Sequence, residues 1–508
     1  MKKIEWNYKK NSGFTLIELL AVILILGIIA LIAIPTVNTV LNEARRGAFE
    51  ASLNNISKKV EETCSLELIS DKKLTSSYTI NKGVSSPNLE LKGDLPDGII
   101  LVDDRCNTIF GLHNNSYKGT KETIDDKVII EKCDGKCIID LTYSEPILNG
   151  AKPVLDQGMV PVNIDNDGTV KKANTYTKWY SYENKQWANV VLVNDDSRDE
   201  YLSATPGTII DNSNIIGHFV WVPRFKYKIS TGYTNTPSPI DIIFENKTTE
   251  KSTGDAKIDY FTHPGFTFGQ NELNGIWVAK FETTGTENDP TVLPNEATYK
   301  FSSLATDYNM AESFSNYGIN SNSHILKNTE WAATTYLSHS QYGIDKQIRI
   351  NNNSNYITGC GANVENGSQV STCEISYGSN IDNYPQSTTG NITGIFDMSG
   401  GVWEVVMGNY NDYISYSDFD VMPEDKYYDK YTITSYSSGC NTPNCKGHSL
   451  TETKSWYSDF GFNSSSSSPW IIRGANAAAG QFGGIFSYSS TSGSTKNDIG
   501  FRVSIGNV

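Results

Sequence analysis

The sequence is short of positive charge and of histidine. Its 508 residues contain 42 Lys and Arg against 57 Asp and Glu, a formal net charge of -15, and only 6 His. Phosphate binding needs clustered Lys and Arg, and no such run follows the first ten residues. The composition therefore excludes nucleic acid from the expected partners, and anionic surfaces should repel the protein.

Sequence motifs of common catalytic sites are missing as well. No G-x-S-x-G, H-E-x-x-H or P-loop pattern occurs along the chain. The content of 38% hydrophobic and 19% charged residues is nevertheless that of a globular protein. Because 508 residues are too many for one ordinary core, we expect several domains, and we expect no enzymatic activity.

One long apolar run lies near the N-terminus. Residues 14–37 carry Glu18 as their only charge, and four Lys residues precede the run. At about 1.5 Å per residue this stretch can cross a bilayer of about 30 Å, with its positive end in the cytoplasm. A secretory signal has its small cleavage residue after the apolar core, whereas here Gly13 comes before it. Cleavage at this point would leave the anchor attached.

The segment GFTLIELL at 13–20 resembles the cleavage and methylation motif of type IV pilins and of type II secretion pseudopilins. The resemblance implies that a prepilin peptidase cuts after Gly13 and that Phe14 becomes the N-methylated first residue. It also implies that Glu18 neutralises the amine of a neighbouring subunit, and Pro35 falls where pilin helices commonly carry a proline. The alternative is a plain single-pass anchor with an incidental Glu. A charge in apolar surroundings is costly without a partner cation, which favours the assembly role.

The chain is predicted to have an α+β fold in five parts. These are a leader at 1–13, a pilin helix at 14–64 with its transmembrane part at 14–37, a β-rich pilin lobe at 65–145, a linker at 146–157 and a binding domain at 158–508. Apolar residues at helical spacing extend the helix beyond the membrane part: Val40, Leu41, Ala44, Ala48, Leu53, Ile56 and Val60. Pro146, Gly150 and Pro153 punctuate the linker.

All eight cysteines follow the apolar run, which suits an oxidising exterior. Local disulfides are expected between Cys360 and Cys373 and between Cys440 and Cys445. The other four can pair in several ways, of which Cys64 with Cys106 and Cys133 with Cys137 is favoured. A zinc site at the last two is disfavoured, since no second close pair or His accompanies them.

A second set of motifs lies toward the C-terminus. It comprises TGNITGIFDMSGGVWEVVMGNY at 389–410, WIIRGANAAAGQFGG at 470–484 and NDIGFRVSIGNV at 497–508. These resemble the formylglycine-generating-enzyme-like branch of the C-type lectin fold. GIWVAKFETTG at 275–285 and NTEWAATTYLSHSQYG at 328–343 are similar to an early strand and a helix of that family. The resemblance therefore implies a C-type lectin-like α+β domain.

The same resemblance implies a calcium site. The family's ligands map to Asp397, Gly400, Val402 and Glu404, an oxygen-only shell of the kind that hard cations prefer. Gly401 stands where the family usually has Asn. The alternative is a cation-free loop in which Glu404 caps backbone amides. A calcium loop at residues 165–168 is disfavoured, since no Glu follows at the required spacing and the sequence DNDG suits a hairpin turn.

Recognition rather than catalysis is expected of this domain. The enzymes of the family use a pair of Cys between the R-G-G and G-F-R motifs, and no Cys lies between Gly474 and Gly500. Residues 475–497 combine small, polar and aromatic side chains, as recognition loops do, and they resemble the variable region of diversity-generating retroelement targets. The alternative is a plain surface loop. Candidate ligand-binding residues are Asn476, Gln481, Phe482, Phe486, Tyr488, Ser490, Lys496 and Asn497, whereas Arg473 and Arg502 are expected in structural ion pairs.

These features together predict a minor or tip type IV pilin that displays a non-catalytic, lectin-like module for adhesion or surface recognition. The alternative is a pseudopilin of a type II secretion or DNA-uptake machine. The expected partners are other pilin subunits, a prepilin peptidase, the membrane before assembly and an extracellular protein or glycan. The expected location is a single-pass position in the cell membrane, followed by an extracellular pilus or the cell surface.

Overall fold

The computed structural model of the chain consists of two compact units. It describes residues 16–70, 75, 77–81, 83–89, 95–102, 106–121, 127–133, 150–175, 179–230, 234–379, 381–432 and 446–506. The first unit comprises residues 1–141 and the second residues 142–508. The division falls a few residues before the predicted linker at 146–157.

The first unit contains one long helix and an antiparallel sheet. The helix α1 is Leu16–Ile69. The strands are β1 (Ser77–Asn81), β2 (Val84–Ser86), β3 (Asp97–Val102), β4 (Thr108–His113), β5 (Tyr117–Lys121) and β6 (Ile129–Lys132), in the order β2-β1-β3-β4-β5-β6. The helix runs through Pro35 and ends five residues later than predicted. Among the described residues, none of the helices combines the length and the apolarity that crossing a membrane requires.

The C-terminal half of α1 packs on this sheet. Its buried face comprises Phe49, Leu53, Ile56, Val60 and Cys64, which share a core with strand residues such as Ile100 and Phe110. The predicted apolar face begins too early, because Val40 is 59% exposed and Leu41 46% exposed. Gly119 of β5 allows the close approach, since a Cβ there would lie 2.1 Å from Leu53 Cδ1.

The second unit is built mainly of strands. They are β7 (Val160–Ile164), β8 (Val170–Lys172), β9 (Asn189–Val193), β10 (Ile215–Pro223), β11 (Phe225–Lys228), β12 (Asp241–Phe244), β13 (Phe261–Thr262), β14 (Thr267–Phe268), β15 (Asn271–Glu272), β16 (Gly275–Ala279), β17 (Thr284–Thr286), β18 (Asp289–Thr291), β19 (Asn322–Ile325), β20 (Trp403–Tyr410), β21 (Asp429–Tyr431), β22 (Trp470–Arg473), β23 (Tyr488–Thr491), β24 (Ile499–Phe501) and β25 (Val503–Gly506). The helices α2 (Asp195–Ser203), α3 (Leu304–Ser313) and α4 (Asn328–Ser338) lie between them.

Two sheets organise the second unit. A seven-stranded sheet has the order β19-β25-β16-β10-β9-β7-β8, and in a five-stranded sheet β21-β20-β22-β23 is joined by β24 beside β20. β10 and β16 are mostly apolar and are buried on both faces. Their antiparallel register places Trp221 opposite Trp277 in the core, with ring centroids 5.1 Å apart. The chain passes from one sheet to the other at Arg502, between β24 and β25.

Both the coarse fold and the DNDG turn agree with expectation. A helix followed by a mostly β-structured body is the predicted α+β arrangement. Residues 165–168 connect β7 and β8, and Gly168 adopts φ +85° and donates its N–H to Asp165 O at 2.9 Å. The sequence DNDG is therefore a hairpin turn.

Part of the predicted linker is packed against the second unit. Ala151 is buried, and its carbonyl accepts a hydrogen bond from the Trp221 indole N–H at 3.0 Å. The Trp277 indole donates to Val154 O at 2.8 Å, and the Asp156 carboxylate accepts both the N–H and the hydroxyl of Ser321. Residues 150–157 are thus part of the second unit. The Pro and Gly residues had indicated a linker, but hydrogen bonds from two distant indoles hold this segment in place.

The described cysteines are disulfide-bonded. The structure joins Cys64 to Cys106 and Cys360 to Cys373, the pairs expected from the sequence. Cys133 is also disulfide-bonded. The remaining predicted cysteines, Cys137, Cys440 and Cys445, lie outside the described residues.

Candidate functional site

The predicted processing and assembly residues belong to the first unit. Gly13 and Phe14 lie outside the described residues. Glu18 is the third residue of α1. Cleavage, methylation and subunit pairing at these positions stay predictions.

The predicted recognition segment, residues 475–497, connects β22 to β24 and contains β23. Four of its candidate residues are at the surface. Gln481, Lys496 and Asn497 are exposed, and the side chain of Phe482 is 52% exposed. These four can reach a ligand without any rearrangement of the core.

Two further candidates are half-buried and hydrogen-bonded to neighbouring loops. Asn476 Nδ2 donates to Asp498 Oδ2 at 3.2 Å, and the Ser490 hydroxyl donates to Asn463 O at 3.4 Å. Both side chains keep part of their surface in solvent. Their hydrogen bonds help to fix the loops that carry the four exposed candidates.

Phe486 and Tyr488 are core residues, so their predicted role as ligand contacts is wrong. Each is 2% exposed. The Phe486 ring lies 5.1 Å from Trp456 and 5.6 Å from His339, centroid to centroid, and the Arg473 guanidinium stands 5.7 Å from the Tyr488 ring. Burial of large aromatic side chains stabilises a fold with little regular structure.

Two exposed aromatic residues were missed by the sequence reasoning. The side chain of Phe460 is 45% exposed and that of Phe462 60% exposed. The N–H of Phe460 donates to Phe482 O at 3.1 Å, and the Phe460 ring lies 6.3 Å from half-buried Trp403. We call these four residues, Trp403, Phe460, Phe462 and Phe482, the aromatic patch. The F-x-F spacing was the available signal, since alternate residues of an extended segment share a face.

Left-handed backbone conformations flank the aromatic patch. Ser455 (φ 61°), Tyr457 (φ 56°), Ser458 (φ 70°) and Ala475 (φ 62°) all have positive φ without being glycine. Such conformations cost roughly 1–3 kcal/mol each and concentrate at functional sites. Here they occur just before Phe460 and at the start of the recognition segment.

A buried carboxyl group anchors the loops beneath the patch. Asp459 Oδ2 accepts the N–H of Phe486 at 2.9 Å, and burial raises the pKa of Asp459 to about 8. A Cβ on Gly484 would lie 2.2 Å from both carboxylate oxygens. The position of Phe460, the next residue, is therefore fixed by contacts to the recognition segment.

The carboxylate of Asp397, a predicted calcium ligand, is surrounded by hydrogen-bond donors. Oδ1 accepts from Asn351 Nδ2 and Gln386 Nε2, both at 2.9 Å. The backbone N–H of Gly359 lies 2.9 Å from each carboxylate oxygen. Asp397 thus holds three separate loop segments together.

Glu404, the other predicted side-chain ligand, forms a buried ion pair. Its carboxylate receives Arg502 Nε at 2.8 Å and Nη2 at 2.6 Å, and Arg502 Nη1 donates to Ala279 O at 2.9 Å. All three residues are fully buried. The expected ion pair of Arg502 is present, and Glu404 binds this guanidinium rather than capping backbone amides.

A third carboxylate, that of Glu282, joins this cluster. Its Oε1 accepts the N–H of Val402 at 2.9 Å, and its Oε2 accepts the Thr298 hydroxyl at 2.5 Å. Burial, followed by the negative charges of Asp397 and Glu404, raises the pKa of Glu282 well above its usual range. Burial likewise raises the pKa of Asp397 and of Glu404. No sequence motif had pointed to Glu282.

This arrangement does not fit a calcium shell. Calcium takes six to eight oxygen ligands at roughly 2.3–2.6 Å, whereas Asp397 and Glu404 already face N–H donors. A divalent ion about 4 Å from the Arg502 guanidinium would meet a repulsion on the order of 8 kcal/mol at an effective dielectric constant of about 20. The described residues also contain no group of three or more His, Cys, Asp and Glu side chains placed to hold a metal ion.

Arg473 is a buried structural residue that joins several loops through hydrogen bonds. Its guanidinium donates to Asn328 Oδ1 at 2.9 Å, to His448 O at 2.7 Å and to Ser449 O at 3.0 Å. A planar group with five donors can tie several carbonyls together in this way. Carbonyl groups contributed by distant loops cannot be recognised in a sequence.

A surface cavity of about 590 Å³ lies elsewhere in the second unit. Its lining includes Lys327, Lys426, Asp429, Lys430 and His448. The Lys327 ammonium donates to a backbone carbonyl, Lys426 and Lys430 are each ion-paired with a carboxylate, and Asp429 accepts a backbone N–H. The charged groups of this cavity are therefore satisfied by the protein itself.

Comparison with known proteins bears on the N-terminal segment. Residues 8–34 match the family described as the prokaryotic N-terminal methylation motif. A search of curated proteins found no match to the chain. The matched residues include Gly13, Phe14 and Glu18, so the N-terminus of this chain is type IV pilin-like.

Proposed function

We propose that the chain is a minor or tip type IV pilin that displays its second unit for adhesion or surface recognition. The methylation motif at 8–34 supports the pilin part of this proposal. The second unit supports the display part, because its hydrophobic core is formed by its own residues, from Met159 to Ile505. A unit with its own core can act as a separate binding module.

The aromatic patch is the observation that carries the recognition role. Among the described residues, the strongly exposed aromatic side chains all fall between residues 413 and 482. Protein interfaces are enriched in aromatic residues, and exposed apolar patches mark interaction sites. Polar side chains at Gln481 and Asn476 add hydrogen-bonding groups at the edge of the patch.

The size of the second unit favours a sparse or terminal position in the filament. It spans residues 142–508, against 1–141 for the first unit. A unit of that size on every subunit would crowd a thin filament. A tip or minor position also places the aromatic patch where it can meet another surface.

Processing and assembly can be tested in cells that produce the chain. Mass spectrometry of the mature protein should find N-methylated Phe14 as its first residue. Glu18→Gln should abolish incorporation into sheared extracellular filaments, whereas Glu43→Gln, at an exposed position of α1, should leave it unchanged. A different first residue, or normal incorporation of the Glu18 variant, would contradict the proposal. Processed protein that never leaves the envelope would favour the pseudopilin alternative.

Recognition can be tested with panels of glycans and extracellular proteins. The Phe462→Ser/Phe482→Ser variant should weaken binding of any ligand found by about tenfold or more, as loss of a central interface residue does. Ile209→Ser is the matched control, because Ile209 is 61% exposed and lies beside the seven-stranded sheet. Equal binding by the patch variant and the control would count against the aromatic patch.

Diversification of the recognition segment is proposed as a separate property. If copies of the gene vary there, the changes should fall on exposed positions such as Gln481, Phe482 and Asn497 and should spare the buried Phe486 and Tyr488. Deep sequencing of the locus in a population measures this. Variation concentrated at the two buried positions would contradict it.

A further inference from the structure

The loop from Asp397 to Glu404 is closed by side chains from other parts of the second unit. Arg502, at the passage between the two sheets, holds Glu404 through two hydrogen bonds. Glu282, which follows β16, accepts the N–H of Val402 at 2.9 Å. The loop is thereby tied to both sheets.

We propose that Arg502 and Glu282 together occupy the role that a calcium ion would have in this loop, so that the second unit folds without a divalent cation. The guanidinium supplies the positive charge beside Glu404. The Glu282 carboxylate supplies the acceptor that holds the backbone of the loop. Both oxygen atoms of Glu404 are thereby bound to the guanidinium.

Gly401 leaves the space that the Glu282 carboxylate occupies beside the loop. It has φ +72°, and a Cβ built on it would lie 2.4 Å from Glu282 Oε1. A side chain at this position, including the Asn that the family pattern usually has there, would require the Glu282 carboxylate to move away from the loop. The present position of the Glu282 carboxylate therefore depends on Gly401.

The remaining polar atoms of Asp397 and Arg502 are hydrogen-bonded to other parts of the second unit. Asp397 is bound by Asn351, Gln386 and the Gly359 N–H, and the third guanidinium nitrogen of Arg502 donates to Ala279 O. A cation entering this site would have to displace the guanidinium, which has nowhere else to place its charge in the buried interior.

Calcium binding is tested on the full mature chain in detergent. Of the nine Trp residues, all except Trp6 lie in the second unit, so tryptophan fluorescence of the processed chain reports on the unfolding of that unit. The urea midpoint should be the same in millimolar calcium and in excess EDTA, and equilibrium dialysis with radioactive calcium should find no bound ion. One calcium ion per chain, with a midpoint that falls on chelation, would overturn the proposal.

The dependence between Glu282 and Gly401 is tested by a double-mutant cycle in the same assay. Gly401→Asn should lower the urea midpoint more than Gly207→Asn does, because Gly207 has a similar positive φ (+90°) but open space around it. Glu282→Ala should remove much of the extra penalty of Gly401→Asn when the two are combined. Equal effects of the two Gly→Asn changes, or simple additivity with Glu282→Ala, would contradict the proposed pairing.

Discussion

The buried carboxyl of Asp459 should make the second unit less stable as the pH rises. Its side chain is 4% exposed, and burial raises the pKa of Asp459 in the folded protein to about 8. In the unfolded chain an aspartate has a pKa of about 3.9. The folded state therefore binds the proton more tightly, and the stabilisation is complete below about pH 4 and is lost as the pH rises through about 8.

The size of the effect follows from the difference between the two pKa values. The difference of about 4 between the two pKa values, at 1.36 kcal/mol each, gives an upper bound of roughly 5.5 kcal/mol between the two ends of this pH range. Asp307, which is fully buried in α3, has its pKa raised by burial to about 8 and acts in the same direction. The two carboxyls together predict a strong loss of stability between mildly acidic and mildly alkaline solution.

Urea unfolding of the mature chain, followed by tryptophan fluorescence at several pH values, measures this effect. Asp459→Asn keeps the shape of the side chain but cannot ionise, so its unfolding free energy should fall less with pH than that of the natural chain. The unfolding free energy of the Asp307→Asn/Asp459→Asn variant should fall least with rising pH. Asp199→Asn is the control, because Asp199 is exposed on α2. Parallel pH profiles for the natural chain and the Asp459 variant would refute the reasoning.

Three further changes test the packing of the two units. Gly119→Ala should destabilise the first unit by roughly 1–3 kcal/mol, because the new Cβ would collide with Leu53; hydrogen exchange of the α1 amides measures this. Replacing Cys64 and Cys106 by Ser should cost the same unit about 4 kcal/mol, given a sequence separation of 42 residues, and chemical unfolding with and without reductant checks it. Lys280→Met should cost the second unit several kcal/mol in urea unfolding, since the buried Lys280 ammonium donates to three oxygen atoms that would lose their partner.

Local sequence patterns predicted the individual elements well. The DNDG turn between β7 and β8 could be identified, because it depends on residues close together in the chain. The first helix was also expected, although its buried face begins at Phe49 rather than at Val40. That difference depends on where along the helix the sheet packs, and the spacing of apolar residues in the helix does not predict this.

The candidate site was predicted less well, because its features depend on contacts between distant segments. Phe482 was correctly assigned to the surface, yet Tyr488 in the same segment is buried under Gly461, and composition alone does not distinguish the two. Glu282 lies more than a hundred residues before Val402, so no motif links them. Arg502 was expected to form an ion pair, but its partner could not be named, because Glu404 was predicted to be a calcium ligand.

The contact between residues 151–154 and the two tryptophans has a mechanical consequence. Trp221 and Trp277 belong to β10 and β16, which are neighbours in the middle of the seven-stranded sheet. A pulling force transmitted along the chain toward Ala151 would meet these two indole hydrogen bonds before it reached β7, the next strand along the chain. The inner strands β10 and β16 should therefore take up part of a load that would otherwise fall on β7 alone.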